Sequence, residues 1–500
     1  MSGKLSLRLN NFIQSHKELS IYLFFALLSV FVLFFYSQDS YLYDLYNRVD
    51  SAWFFMCGKA WMNGMVPYVD FADSKGPLLW LIYGLGYLIS PRDYTGVYWI
   101  TCVWYSFTYY FTYKLADIFL KNKRKAILCA ILMTVAFFNP LFHVETRAED
   151  FCLLFVTISL YRMCLSLYDG EHQDDRSNSL TFFIFGCCFS ALLLIKFNYA
   201  VMQCIFPFWM VLYLIKSKRS ILRPCIYWLG GFLLTIIPFL IYFLIYDNLG
   251  AFINEYIINT IYTIVGNDNM PSSIAKIPSK RVLLLMLCTI VFNLLLSIKL
   301  ERSKLGLLFC SLCFLGVNLI TGIIYYFNIN SIFLISGVVF IFKYVTKLRI
   351  KTTLLLLISV LVILPVIVHL YVTTYDGFYK PFKFKTTCEA YDFNEMNAIM
   401  SEMDKPRIIN VFSYEYGYGI ESESLPACKY WANQNGATDN MIEEHLRSIM
   451  SCRADYLYIK SLSLLDKYDL SLEQLHDIGY IVCCENRNGL LLRKKRYFLP

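Results

Sequence analysis

Five charged side chains, Asp50, Lys59, Asp70, Asp73 and Lys75, lie among seven aromatic rings in DSAWFFMCGKAWMNGMVPYVDFADSKGPLLW, residues 50–80. A second knot of charge, HVETRAED at 143–150, holds Glu145, Arg147, Glu149 and Asp150, and Lys196 closes a long apolar run. Carboxylates can take a proton from a hydroxyl, and lysine or arginine can hold an anion. Each residue also has an ordinary duty to set beside the chemical one. Asp50 stands where a helix N-cap stands, ahead of Trp53, Cys57, Ala60 and Trp61, whose spacing predicts a short amphipathic helix. Asp70 and Asp73 fall on a loop punctuated by Gly64, Pro67 and Gly76-Pro77, where side-chain-to-backbone bonds shape turns. The 145–150 group can satisfy itself as ion pairs at a water boundary, and Lys196 can serve as a topological marker. Residues 78–90 are apolar but short for a span, so they lie at the interface or dip into it and bring the loop back over the bundle.

The elements that position these groups are set by composition. Of 500 residues 57% are hydrophobic and 16% charged, and the mean hydropathy is +0.50, which points to lipid as the solvent. The net charge of +8 arises from short basic clusters between apolar runs, a topological pattern that excludes a nucleic-acid footprint. Uncharged runs at 19–38, 94–113, 126–144, 177–195, 197–215, 224–246, 282–298 and 352–375 read as spans. The run 305–342 is long enough for two, with a turn at 325–330, and 151–168 makes one more, in which Arg162 can snorkel to the nearer interface. The expectation is an α-helical polytopic membrane protein of about eleven spans. The run 19–38 is followed by no small-residue cleavage site, so it is read as the first span and no cleavable signal. Lys4, Arg8 and Lys17, then KNKRK, KSKRSILR, KLERSK and KYVTKLRIK, fall on one side, which puts the amino terminus inside and the loop 39–93 outside.

After residue 375 the composition turns polar, and 376–500 reads as a small water-soluble α/β domain outside the membrane. RIINVFSY and ADYLYIKS predict strands, and NMIEEHLRSIM predicts a helix. SLEQ at 471–474 is a capping box, and YIVCCE-NRNG-LLLRKK is a closing hairpin. Twelve of the 17 cysteines precede residue 376, where they act as small apolar residues. The other five, Cys388, Cys428, Cys452, Cys483 and Cys484, would face an oxidising compartment with room for one or two disulfides.

The stretch from Asp50 to Gly86 resembles the first outer loop of GT-C glycosyltransferases of the protein O-mannosyltransferase and aminoarabinose-transferase group. The shared pattern is an acidic residue, a helix, a Gly-x-x-Pro-Tyr-x-Asp turn and a Lys-(Gly/Pro)-Pro-apolar ending. Here it is carried by Asp50, Gly64, Pro67, Tyr68, Asp70, Lys75, Gly76, Pro77 and Leu78. TRAED before the fourth span, Lys196 after the fifth and YYF before the tenth follow in the same order. Many members have Asp-Glu where this chain has Asp50-Ser51, and a histidine where Tyr326, Phe327 and Asn328 stand. The first departure leaves the base intact; the second leaves that turn without an assigned role.

The resemblance implies a GT-C-like membrane domain at 1–375 and inverting transfer of a sugar from a polyprenyl-phosphate donor to a hydroxyl of a lipid, glycan or protein. The reaction would take place on the extracytoplasmic face of a cytoplasmic (inner) membrane. Asp50 would be the base or acceptor-orienting carboxylate. Lys75, with Arg147 and Lys196, would hold the donor phosphate, and Glu149, Asp73 and Tyr68 would complete the donor and acceptor contacts. The soluble domain would bind acceptor or cap the site. No cofactor is required; a divalent cation near Asp50, Asp73 and Glu149 is compatible with the residues, and no spacing demands one. A multi-spanning transporter or flippase of lipid-linked sugars is the competing reading, but it calls for ionisable groups in mid-span and related halves. A polysaccharide polymerase or ligase calls for one large late loop, and here the informative loop comes first.

Overall fold

The computed structural model describes residues 16–41, 50–138, 146–168, 174–261, 280–299, 306–321, 326–345, 393–413, 417–432, 439–466 and 469–495. Its first helix, α1 (Lys17–Tyr36), is apolar throughout and turns Leu23, Phe24, Leu27 and Phe31 outward. A continuous exposed ridge of that kind suits contact with lipid tails. Helices α2 (Asp50–Met62), α3 (Pro77–Ile89), α4 (Thr95–Leu120), α5 (Ala148–Tyr168), α6 (Asp175–Ile195) and α7 (Leu222–Ile245) follow. Among the described residues six helices are long and apolar enough to cross a bilayer: α1, α5, α6, Phe197–Lys216, α7 and Phe327–Tyr344. The expected number was eleven. The run 352–375 lies outside the described residues, α4 is long but carries many Tyr and Thr, and the run from 126 breaks at Met133. The long run from 305 divides into Gly306–Thr321 and a second helix beginning at Phe327.

Two ends of the bundle differ in charge. At the start of α1, Glu18 pairs with Lys123 and lies 3.7 Å from Lys114, and nearby Lys125 donates to the Phe342 carbonyl. At the other end, the Ser37 hydroxyl meets that of Thr146 at 3.2 Å. The rise of a helix puts those ends about 28 Å apart, one bilayer core. Arg162 is buried and donates to the Thr181 hydroxyl at 2.9 Å and to the Ser177 carbonyl at 3.4 Å, in the first two turns of α6.

Helices α2 and α3 form a hairpin over this second end. Both are rich in large side chains, yet their backbones meet at Gly58 and Gly84, where a Cβ on Gly58 would come within 2.4 Å of the Gly84 nitrogen. Nothing larger fits at that crossing.

The carboxyl-terminal sheet has the order β2-β1-β3-β5-β4, built from β1 (Arg407–Asn410), β2 (Leu425–Pro426), β3 (Tyr456–Ile459), β4 (Tyr480–Asn486) and β5 (Gly489–Lys494). The first three strands are parallel and the hairpin β4–β5 is antiparallel. The predicted strands, hairpin, helix (Asp439–Met450) and capping box at Ser471 and Gln474 are all present. The expected boundary at 375–376 and Cys388 lie outside the described residues, and Cys428, Cys452, Cys483 and Cys484 are free thiols.

This sheet is seated on α2. The rings of Trp53 and Trp431 stack with centroids 5.0 Å apart and planes 7° from parallel. Lys59, fully buried, donates to the Gly419 carbonyl at 2.8 Å, and the Ala72 amide donates to the Lys429 carbonyl at 3.1 Å. Glu255, beyond α7, accepts from Lys429 at 2.5 Å and from the Tyr430 hydroxyl at 2.9 Å.

Trp431→Ala should therefore lower stability by about 3–5 kcal/mol, the usual cost of emptying an aromatic site. Hydrogen exchange should rise in residues 50–62 as well as in the sheet; protection confined to its wild-type level in 50–62 would show that the stack is idle. Burial brings the Lys59 amine from its ordinary 10.5 down to about 7, with Glu423 pulling the other way. The unfolded chain then binds more protons than the folded one between pH 7 and 10.5, so stability should rise with pH across that window. Lys59→Met should flatten the rise in a thermal-unfolding series.

Candidate active site

Three short segments meet where α2, α5 and α6 present their ends. Ser51 donates to the Thr146 carbonyl at 2.6 Å, and the Tyr83 hydroxyl of α3 donates to the same oxygen at 3.1 Å. The Asp150 carboxylate accepts the Arg147 amide at 2.8 Å, which closes the first turn of α5. With the backbone of 146–147 fixed from both sides, the Arg147 side chain reaches Asp50, with Nε 3.2 Å from Oδ2. Among the described residues the Asp50 carboxylate makes no hydrogen bond to its own helix. Its partner is Arg147, and 37% of the side chain remains exposed.

Lys75 is delivered by the loop before α3. The Gly76 amide donates to the Ile195 carbonyl at 3.0 Å, and a Cβ at Gly76 would sit 2.1 Å from the Leu194 oxygen, so only glycine allows the approach. Tyr68 takes the left-handed conformation (φ +66°) and its hydroxyl donates to the Lys75 carbonyl at 2.9 Å. Asp73 accepts the Ser74 amide at 2.6 Å and lies 3.9 Å from the Lys75 amine. Asp70 accepts the Val66 amide at 2.6 Å. The Lys75 amine stands 5.9 Å over the ring of Phe54, one turn along α2 from Asp50, and is about one-fifth exposed. The charges of Glu149, Lys75 and Asp50 all act on the buried Tyr326 hydroxyl.

Next to Tyr326 is a buried pair. Lys196 and Glu149 meet at 2.5 Å with side chains 9% and 3% exposed. The Tyr199 hydroxyl donates to the same Glu149 oxygen at 3.1 Å, and the Tyr326 ring caps the Lys196 amine at 3.9 Å. A buried pair is stable only when such additional contacts replace lost water. Asp150, equally buried, accepts from the Tyr105 hydroxyl at 2.5 Å and from the Asn328 amide at 3.2 Å.

The expected residues thus divide. Asp50, Arg147, Lys75 and Asp73 line the open side. Of the other expected contacts, Tyr68 is fully buried and bonds the Lys75 carbonyl, while Glu149 and Lys196 are buried as an ion pair. Glu145 lies outside the described residues. Each carboxylate considered for a divalent cation faces a base of its own, Asp50 with Arg147, Asp73 with Lys75 and Glu149 with Lys196. No group of three or more metal-binding side chains is found among the described residues. Ser51, Tyr199, Tyr326 and Asn328 were not singled out as site residues. Tyr326 and Asn328 belong to the turn left without a role, and Ser51 does its work through a backbone carbonyl that no sequence pattern marks.

Residues 74–243 match the sequence model of a family described as dolichyl-phosphate-mannose-protein mannosyltransferase. That stretch includes Lys75, Arg147, Glu149 and Lys196 and stops short of Asp50. No curated protein matches the chain in sequence. Among solved structures, the crystal structure of ArnT from Cupriavidus metallidurans bound to undecaprenyl phosphate superposes with a TM-score of 0.60. The match covers 96% of this chain and 98% of that one, at 10% identity, and so establishes a shared fold.

Lys196→Met should strand a buried carboxylate and lower stability by about 3–5 kcal/mol. Adding Glu149→Gln should recover most of that loss in denaturation of the detergent-solubilised protein. A double variant as unstable as the single one would show that the two side chains are not an ion pair.

Proposed function

We propose that this chain, whose first loop resembles that of GT-C glycosyltransferases, transfers a sugar, with inversion, from a polyprenyl-phosphate donor to a hydroxyl of a lipid, glycan or protein acceptor. The acceptor oxygen attacks the anomeric carbon while the bond from that carbon to the phosphate oxygen breaks. The leaving electron pair stays on the phosphate, and the hydroxyl proton passes to Asp50. A phosphate leaves well as an anion, so a single carboxylate suffices, whereas glycoside hydrolysis uses two flanking the bond. Arg147 orients Asp50 and, with Lys75, offers positive charge where the phosphate gains negative charge. The observation that carries the reading is the partly exposed Asp50–Arg147 pair at the start of α2, with the partly exposed Lys75 amine over Phe54 one turn along the same helix. The undecaprenyl phosphate in the ArnT structure supports a lipid phosphate as the donor's carrier.

On this reading the site would face the extracytoplasmic side of a cytoplasmic membrane. Support comes from the opposite end of the bundle, where Lys114, Lys123 and Lys125 gather, since basic residues concentrate on the inner side. The carboxyl-terminal sheet, packed on α2 next to the site, would then cap it from outside.

Membranes bearing the protein would be incubated with radiolabelled polyprenyl-phosphate sugars. Asp50→Asn should cut transfer by about 10²–10⁴-fold, the range for loss of a general base. Lys75→Ala should weaken donor binding and raise KM. Transfer by Asp50→Asn at the wild-type rate would discard the base.

A further inference from the structure

A cleft of ≈380 Å³ lies between the loop that follows α2 and the edge of the carboxyl-terminal sheet, and its lining includes none of Asp50, Arg147 and Lys75. Its walls carry Asp70 from the loop, and Arg407, Lys429, Glu444 and Arg453 from the sheet domain. Since α2 runs from Asp50 to Met62, the cleft is about 18 Å from the proposed base.

The walls narrow what can bind there. Lys429 is already neutralised by Glu255, and Arg407 spends its Nη1 on the Pro426 carbonyl at 3.0 Å and the Met65 sulfur at 2.9 Å, which leaves Nη2 and Nε. Asp70 spends one oxygen on the Val66 amide, leaving its other oxygen for a ligand. Among the described residues the side chains of Glu444 and Arg453 make no hydrogen bond or ion pair; Arg453 is exposed and Glu444 half-buried. The cleft thus offers two guanidinium forks and two carboxylates with unused capacity. An anion would meet Asp70 and Glu444, a cation would meet Arg407 and Arg453, and a lipid tail needs an apolar lining. Hydroxyl groups donate and accept at once, and neighbouring hydroxyls match planar two-atom partners such as carboxylate and guanidinium.

We propose that this cleft between residues 63–70 and the carboxyl-terminal domain is a carbohydrate subsite, which holds a distal part of a glycan acceptor while its terminal hydroxyl lies at Asp50. The proposal rests on the transfer reading for the acceptor's role, and it selects the glycan among the three acceptor classes. The separation requires a chain of several sugars, since one ring cannot reach both places.

The full chain in detergent would be tested, without donor, on an array of defined neutral and acidic oligosaccharides and their monosaccharides. Longer glycans should be retained and monosaccharides should not. Arg453→Ala, at an exposed position that the fold tolerates, should weaken retention several-fold, and Arg453→Ala with Glu444→Ala at least tenfold, with unfolding temperature as the control. Asp50→Asn should retain the same glycans. Retention of none, equal retention of monosaccharides, unchanged binding by the Arg453 variants or loss of binding in Asp50→Asn would each overturn the subsite. Because no transfer is read, failure of the base assignment in the radiolabel assay leaves this result independent.

Discussion

The contact between Asp50 and Arg147 depends on one carbonyl. Thr146 offers its oxygen to Ser51 and Tyr83, and that shared acceptor ties the start of α2 to the start of α5 and to α3. An arginine side chain is long and costly to order, so an ion pair near water contributes little unless its backbone is already fixed. Here the order is supplied by buried hydrogen bonds to a backbone oxygen, and the pair follows. The Asp-Glu pattern common in the resembling group gives way to Asp50-Ser51 at this point, and the hydroxyl has a structural task that explains a small side chain.

Charge is distributed in two layers. The deep layer, Glu149 with Lys196 and Asp150 with Tyr105 and Asn328, is closed upon itself, as buried charge must be. The shallow layer, Asp50, Arg147, Asp73 and Lys75, keeps surface exposed. Deep pairs fix the ends of α5 and α6, and the backbone of Ile195 in turn receives Gly76 and carries Lys75 into place. Positioning thus passes from the inner layer to the outer through the backbone, which holds a geometry better than a flexible side chain.

The carboxyl-terminal sheet belongs to this arrangement. Trp431 on Trp53, Gly419 on Lys59 and Lys429 on Ala72 press it against the outer side of α2 and its following loop. A helix as short as α2 has little stability of its own, and tertiary packing on both faces is what keeps Asp50 at a defined height. The same seam creates the polar cleft at the far end of α2.

The sequence by itself determined the solvent, the helical class, the strands and capping box of the tail, and the loop that carries Asp50, Lys75 and Gly76. These are local or periodic properties: apolar length, alternation, and turn residues at fixed spacing. It could not say that Tyr68 would be buried while Lys75 stayed partly open, since both stand in the same motif and only packing separates them. Nor could it say that Glu149 and Lys196 would satisfy each other, that Tyr326 would cap Lys196 or that Asn328 would reach Asp150, because these residues are brought together by the crossing of helices distant in the chain. Charge is written in the sequence. Which opposite charge it meets, and how much water remains around the pair, is decided by tertiary structure alone.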